Sequence, residues 1–275
     1  MSEGSTQYYF RLHLFHRILH GVLMTCFLGL AATGMPIRFN QAAWAVGFAH
    51  AIGGFGPILF FHKFFAVMLT LTFLVHIGYV LHLAFVRRQP GVFWGPTSMV
   101  PQPKDAIDLY QHFRWFFGLG PRPRFGRFTY WEKFDYWAVF WGMTIIGTSG
   151  YFMWFSGFFG QILPGYVFNL ALLIHADEAL LAVWFIFAIH FFNSHLRPDR
   201  FPMDLVIFTG REPVEELKES RPAEYERLVA AGKLEAVGAD PPPLWLRNFG
   251  RLIGSAAVGI GFLLLGLTLL TFLSE

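Results

Sequence analysis

The stretch IHADEALLAVWFIFAIHFF, residues 174–192, decides the fold, because it is almost entirely apolar and yet has a histidine near each end. A helix needs roughly 20 such residues to cross the hydrocarbon core of a bilayer. His175 and His190 are fifteen positions apart. At about 100° and 1.5 Å per residue they share one helix face, with an offset of ~60° and a rise of ~22 Å. We therefore predict a membrane-spanning helix with one histidine near each leaflet.

The whole chain has the composition of a membrane protein. Of its 275 residues, 55% are hydrophobic, 19% aromatic and only 14% charged, which is far more apolar than a soluble domain. Five segments are long and apolar enough to span a bilayer: 14–34, 57–86, 134–157, 168–193 and 252–273. The sequence thus predicts an all-α integral membrane protein with five transmembrane helices.

Basic residues are distributed unevenly between the predicted loops. Of the 21 Lys and Arg residues, Arg38 and Lys63 fall near the first loop, none falls in the third-to-fourth loop, and the remaining nineteen lie on the other side. The positive-inside rule then places the N-terminus in the cytoplasm and the C-terminus outside. Because the charges follow alternate loops and the net charge is only +3, we do not expect a nucleic-acid partner.

Two further features of the sequence limit its chemistry. The first span lacks a small-residue cleavage site, so we expect it to be retained rather than removed as a signal peptide. Cys26 is the one cysteine, which excludes a disulfide framework, a cysteine-ligated iron–sulfur cluster and covalent haem attachment through C-x-x-C-H. Any haem must therefore be held without a covalent link.

Two cytoplasmic segments carry most of the charge. The first, between spans two and three, is predicted to hold a short amphipathic helix near Asp105–Phe117, with Tyr110 and Trp115 at headgroup depth. The second follows the fourth span and has a helix start near Pro213. Both can be interfacial packing and linker, and the second can also be a docking surface for a partner.

The second span repeats the histidine pattern of the fourth. His62 and His76 are fourteen positions apart, offset by ~40° and separated by ~21 Å. Because the two helices are antiparallel, spacing alone pairs His62 with His175 on the outer side and His76 with His190 on the inner side. The first span adds His20 near the inner leaflet.

An imidazole in hydrocarbon costs free energy unless its nitrogens find partners. Haem iron is one such partner, and two axial histidines make a six-coordinate site suited to electron transfer. The paired spacings therefore predict two haems across one bilayer. Hydrogen bonds between helices are the alternative role for these histidines. Small residues in spans one and three either leave room for a flat macrocycle or serve helix packing. They are Gly21, Gly29, Gly142, Gly147 and Gly150.

Four stretches together resemble a known family. They are RILHG at 17–21 with Thr33–Gly34, FHKFFAVMLTLTFLVH at 61–76, PKDAIDLYQHFRWFFGLGPRPRFGRFTYWEKFDYW at 103–137, and HADEALLAVWFIFAIHFFNSHLRPDRFPMD at 175–204. The combination, which covers roughly residues 10–210, is similar to the membrane cytochrome b subunits of formate dehydrogenase, thiosulfate reductase and nickel–iron hydrogenase, and to related quinol-linked b-type cytochromes.

The resemblance implies a four-helix bundle with two stacked b haems and a quinone site near the cytoplasmic side, for menaquinone or ubiquinone. It implies a bacterial inner membrane and a periplasmic partner, either an iron–sulfur subunit or a multihaem cytochrome c. Carried over by motif, the axial ligands are His62 with His175 and His20 with His190. For the inner ligand that pairs with His190, helix spacing favours His76, whereas the family motif favours His20. We favour His20, because Arg17 precedes it and can pair with a haem propionate.

The expected organisation is a dihaem core over 1–210, a cytoplasmic linker segment over 211–246 and a fifth transmembrane helix over 247–275. Quinone chemistry moves protons with electrons, and the groups placed to transfer them are His82, His195, Lys104 and Asp105. The chain is then the electron-transfer subunit of a quinone-linked oxidoreductase complex. A histidine-containing proton or metal transporter and a passive membrane anchor for a soluble enzyme are the alternatives. A reduced-minus-oxidised spectrum separates the three.

Overall fold

The structure, a computed structural model, describes residues 7–274 and is mostly helical. The helices α1 to α12 are Leu14–Arg38, Ala43–Ile52, Phe55–Leu81, Pro103–Phe116, Tyr130–Gly142, Thr148–Trp154, Ser156–Phe159, Tyr166–Trp184, Val206–Thr209, Val214–Ser220, Pro222–Ala230 and Leu244–Ser274. The strands β1 to β3 are Tyr8–Phe10, Arg211–Pro213 and Gly238–Ala239. The π-helical segments are His82–Val86, Met143–Gly147, Phe185–His190 and Phe192–Leu196, and a 3₁₀ turn covers Glu235–Val237.

Four helices in the described chain are long and apolar enough to cross a membrane. They are Leu14–Arg38, Phe55–Val86, Tyr166–Leu196 and Leu244–Ser274, where the second and third include the π-helical segments that continue α3 and α8. Their 25 to 32 residues exceed the roughly 20 that a bilayer core requires. They confirm that four of the five predicted spans are long apolar helices, which is the pattern of a multi-pass membrane protein.

The remaining predicted span, 134–157, is helical but differs from the other four. It runs from α5 through the π-helical segment Met143–Gly147 into α6 and ends at Trp154. Much of the span is Trp, Tyr, Gly, Ser and Thr, and Asp135 lies near its start, so its composition is less apolar than that of the four long helices. That this helix crosses the membrane stays a prediction.

The described chain divides into two compact units. One unit comprises Ile18–Val75, Val139–Asp204 and the last helix from Arg251. Its core joins α1, α8 and α12 through Met35, Phe187 and Leu264, among other buried apolar residues. Gly261 on α12 permits this packing, since a Cβ there would lie 2.6 Å from Cε2 of Phe191. The fifth predicted helix is thus packed into the core of this unit.

The other unit comprises the chain up to Arg17, His76–Ala138 and Leu205–Gly250. The three short strands form an antiparallel sheet in the order β2-β1-β3, so the predicted linker 211–246 is a folded part of this unit. Tyr9 of β1, Leu217 of α10 and Leu228 of α11 share a small buried cluster. We call this part of the molecule, β1 to β3 with α10 and α11, the sheet lobe.

A buried ion network joins the sheet lobe to the start of α5. Glu212 is completely buried and lies 3.3 Å from Arg11 and 3.4 Å from Arg221. Glu132, just before the predicted third span, binds the same two arginines at 2.9 and 2.8 Å. Burial alone would raise the pKa of Glu132, but Arg221 and Arg11 outweigh it and lower the pKa to about 2. The stability that the protein gains from the ion pairs of Glu132 is therefore fully present above the usual pKa near 4.5. It is lost as the pH falls towards 2.

Candidate functional site

The structure brings together the two histidines predicted for the outer level, His62 on α3 and His175 on α8. Their ring centres lie 6.2 Å apart, and the ring planes are inclined at 74°. A metal ion that binds one nitrogen of each of two imidazoles at about 2.0 Å places the ring centres roughly 6 Å apart. The spacing therefore matches two histidines on opposite sides of one metal atom.

The tautomer of His175 is fixed by the helix opposite. Nδ1 lies 2.9 Å from the backbone carbonyl oxygen of Ile146. Since a carbonyl oxygen only accepts hydrogen bonds, Nδ1 carries the hydrogen and Nε2 keeps its lone pair. Ile146 belongs to the π-helical segment Met143–Gly147, and π-helical turns within helices are frequent at functional sites. The imidazole is thus held in the tautomer that binds a metal through Nε2.

The tautomer of His62 follows from the hydrogen bonds of Thr33 on α1. Nδ1 of His62 lies 3.0 Å from the Thr33 hydroxyl oxygen, and that hydroxyl lies 2.6 Å from the carbonyl oxygen of Gly29. A hydroxyl has one hydrogen, which Thr33 donates to Gly29, so it accepts from Nδ1–H of His62. His62 and His175 therefore share the same tautomer, with a hydrogen-bonded Nδ1–H of the kind that orients metal-ligating histidines.

Two glycines make room for these rings. A Cβ on Gly34 would lie 3.1 Å from Cε1 of His62, and one on Gly150 would lie 2.9 Å from Cε1 of His175. Contacts this short force a shift in the ring. The sequence predicts that Gly150 leaves room for a macrocycle or serves helix packing, and in the structure it leaves space for the imidazole itself. Thr33 belongs to a stretch that carries the family resemblance, but its hydrogen bond to His62 and that of the Ile146 carbonyl to His175 have no sequence signature.

The chemistry open to this pair is metal binding with two protein ligands. Nδ1 of each ring makes the hydrogen bonds described above. Within residues 7–274, no group of three or more His, Cys, Asp or Glu side chains is arranged to hold a metal ion. A metal bound between His62 and His175 therefore takes its other ligands from a non-protein group, as iron does in a porphyrin.

The residues predicted for the inner level belong to the same compact unit. His20 on α1 is within electrostatic range of His190 and of His195. His195 lies on the π-helical segment Phe192–Leu196, and its Nδ1 is buried with no hydrogen-bond partner in the described chain. His20 and His190, which the family resemblance pairs, thus interact electrostatically, as each does with His195, and their role as ligands of one haem stays a prediction.

A second π-helical segment changes the predicted geometry of α8. Residues Phe185–His190 form π-helical turns, which hold more residues per turn than an α-helix. Each residue therefore rotates by less than 100°, and the ~60° offset between His175 and His190 predicted for a pure α-helix becomes smaller. The two histidines therefore share a face more closely than they would on a pure α-helix.

His76, the inner ligand favoured by spacing alone, has a different environment. Its Nε2 lies 2.9 Å from the hydroxyl of Tyr136, and the two ring centres are 5.5 Å apart. A nitrogen in a hydrogen bond must give up that bond before it can bind a metal. Its contacts are those of a hydrogen-bonded core histidine.

Arg17, predicted to bind a haem propionate, keeps part of its guanidinium available. One terminal nitrogen donates a hydrogen bond to the backbone carbonyl of Phe208. Nε is buried, and in the part of the chain that the structure describes it has no partner. A buried N–H without an acceptor is costly, and a carboxylate is the acceptor that binds a guanidinium most strongly.

The quinone-site candidates have separate environments. Lys104 pairs with Asp108 at 2.5 Å and Asp105 with Lys133 at 2.8 Å. Asp105 also caps its own helix by accepting from the backbone N–H of Gln102 at 2.6 Å. His82 is exposed at the start of the π-helical segment that follows α3. Lys104 and Asp105 thus serve structural ion pairs, and a role for any of these residues in proton transfer stays a prediction.

A comparison with protein-family models and with curated proteins found no match for this chain.

Proposed function

We propose that the chain is a dihaem b-type membrane cytochrome that transfers electrons between the quinone pool and a redox subunit on the outer, periplasmic face. The observation that carries the proposal is the His62–His175 pair. Its rings lie at the spacing of two axial ligands, and hydrogen bonds fix both in the tautomer that leaves Nε2 for a metal. Two helices from different parts of the chain meet at this pair. Thr33 of α1 orients the His62 ring, and the Ile146 carbonyl orients the His175 ring.

The residues of the chain fit two haems of b type. His62 and His175 would hold the outer one, and His20 and His190 the inner one, while Arg17 offers its unpartnered Nε to a propionate. When bound, each haem supplies an iron that accepts and gives up one electron. The protein binds both macrocycles without covalent links, orients the imidazoles and keeps water away with apolar helices. Bis-histidine ligation favours electron transfer over the binding of oxygen.

The proposed arrangement in the bilayer has five transmembrane helices. The four-helix haem bundle comprises α1, α3, α8 and the predicted span 134–157, with α12 packed on α1 and α8. The split of basic residues supports an N-terminus in the cytoplasm, and the family resemblance implies a bacterial inner membrane. The apolar side chains of Phe48 and Phe158, exposed by 37% and 61%, then face the periplasm, where an iron–sulfur or multihaem cytochrome c subunit would cover them.

The test of this function is reduction by a quinol. Membranes that contain the overproduced chain should show the α band of reduced b haem when duroquinol is added, to an extent comparable with dithionite. Membranes without the chain are the control. Reduction by dithionite but not by duroquinol would show haem binding without a link to quinone, and would overturn the proposed partner pool.

The inner ligand can be assigned by comparing two alanine variants. We expect His20→Ala to lose the inner haem, because it removes an axial ligand, and His76→Ala to keep both haems, because Nε2 of His76 is bonded to Tyr136. The measurement is haem content per polypeptide together with the low-spin electron paramagnetic resonance signals. Loss of the inner haem in His76→Ala and its retention in His20→Ala would reverse the assignment.

A further inference from the structure

Helix α4, Pro103–Phe116, is polar on the face that packs against the protein, called its inner face, and apolar on the exposed face, called its outer face. On the inner side Asp108 is 5% exposed and pairs with Lys104, and Asp105 pairs with Lys133 of α5, which is also buried. His112 completes this face and lies 3.0 Å from the hydroxyl of Tyr130. A helix on a water-soluble protein has the opposite polarity.

The outer side of α4 and the turn after it is a run of large apolar side chains. We call this surface the aromatic face, and its exposed members are Ile107, Tyr110, Phe113, Phe116, Phe117 and Leu119. Phe116 is 76% exposed and Phe117 69%. Contiguous apolar surface of this kind is rare on a face that meets water and marks contact with a membrane or a partner.

Two arginines stand on the aromatic face. Arg114 lies over the ring of Tyr110 at 5.9 Å and Arg122 over the ring of Trp115 at 5.7 Å. Both are exposed, and within residues 7–274 neither has a carboxylate within ion-pair distance. The acidic residues of the segment from Arg87 to Lys133 are all used in ion pairs on the inner side. The outer side therefore presents unneutralised positive charge among aromatic rings.

We infer that the aromatic face lies in the headgroup region of the cytoplasmic leaflet and that Arg114 and Arg122 bind the phosphates of anionic phospholipids. Aromatic rings with arginines are the composition of a helix that lies in the plane of a membrane interface. The segment is tethered close to the bilayer, since it follows the span that ends at Val86. Eight basic against three acidic residues in 87–133 match the negative charge of a cytoplasmic leaflet. This inference does not depend on haem.

The depth of the aromatic face in a bilayer is the first test. In a Cys26→Ala background, a nitroxide is attached to Phe116→Cys or, as the control, to Lys233→Cys on the exposed part of the sheet lobe. In nanodiscs, the label at 116 should relax faster with oxygen than with a water-soluble nickel complex, and the label at 233 should do the reverse. Equal access of nickel to both labels would overturn the inference and leave the face as a surface for a soluble partner.

Selectivity for anionic lipid is the second test. The chain is reconstituted in an equimolar mixture of phosphatidylglycerol and phosphatidylcholine, and the lipids retained in detergent are counted by native mass spectrometry. The double variant Arg114→Gln/Arg122→Gln should lower the ratio of retained phosphatidylglycerol to phosphatidylcholine roughly ten- to thirtyfold. Lys218→Gln/Lys233→Gln removes the same charge from the sheet lobe and should leave the ratio within about twofold. Equal loss in both variants would overturn a specific role for the two arginines.

Discussion

His175→Ala should remove one of two haems and leave the other in place. His175 is held by the Ile146 carbonyl at 2.9 Å and faces His62 across a 6.2 Å gap between ring centres. Without it, the proposed outer haem would have one histidine ligand in place of two, and it would be lost or become high-spin. The haem content should fall from two per chain towards one, with the loss of one low-spin resonance signal.

Matched variants separate ligand loss from general damage. His62→Ala should lose the same haem, and the double variant His62→Ala/His175→Ala should lose no more than either single variant, because both residues serve one site. His190→Ala should lose the other haem. His50→Ala, at an exposed position after α1, should keep both. An His175→Ala protein with both low-spin signals intact would contradict the assignment.

The second large effect is expected in the sheet lobe. Glu212→Ala leaves Arg11 and Arg221 buried and removes the acceptor of the Tyr9 hydroxyl, which lies 2.6 Å from the carboxylate. Loss of one partner from a buried ion pair costs about 3–5 kcal/mol. We therefore expect β1 and β2 to separate, with hydrogen exchange in 8–12 and 211–217 accelerated by roughly two to four orders of magnitude.

An exposed ion pair in the same unit provides the control. Glu226 pairs with Arg124, and both side chains are about 60% exposed. Glu226→Ala should change exchange in the lobe little, because exposed pairs contribute about 0–1 kcal/mol. Equal exchange rates in Glu212→Ala and Glu226→Ala would show that the buried network does not hold the strands together.

The long helices could be predicted from the sequence because membrane insertion leaves a direct record in hydropathy. Residues 14–38, 55–86, 166–196 and 244–274 are each helical over the predicted span or more. The helix near Asp105–Phe117 is confirmed as Pro103–Phe116. The span over 134–157 is weaker in the same signal, since Trp, Tyr, Gly, Ser and Thr make up much of it.

The details of the site could not be predicted, because they depend on contacts between distant segments. Histidine spacing paired His62 with His175, but nothing in the sequence indicates that Thr33 and the Ile146 carbonyl fix their tautomers. π-helical segments have no periodicity signal, so the rotation at His190 was calculated for a pure α-helix. The pairing of β1 with β2 joins residues about two hundred positions apart, in strands too short to show alternation.

The central claim is that two pairs of histidines bind two b haems in the membrane-spanning helices, and the most direct measurement is the haem content of the purified chain. The chain is produced in cells supplied with a haem precursor, and its pyridine haemochrome and reduced-minus-oxidised spectra are recorded. We predict b-type bands and two haems per polypeptide, falling to none in the variant with His20, His62, His175 and His190 all replaced by alanine. A folded chain in membranes with no b-type bands would contradict the account and favour a transporter or a passive anchor.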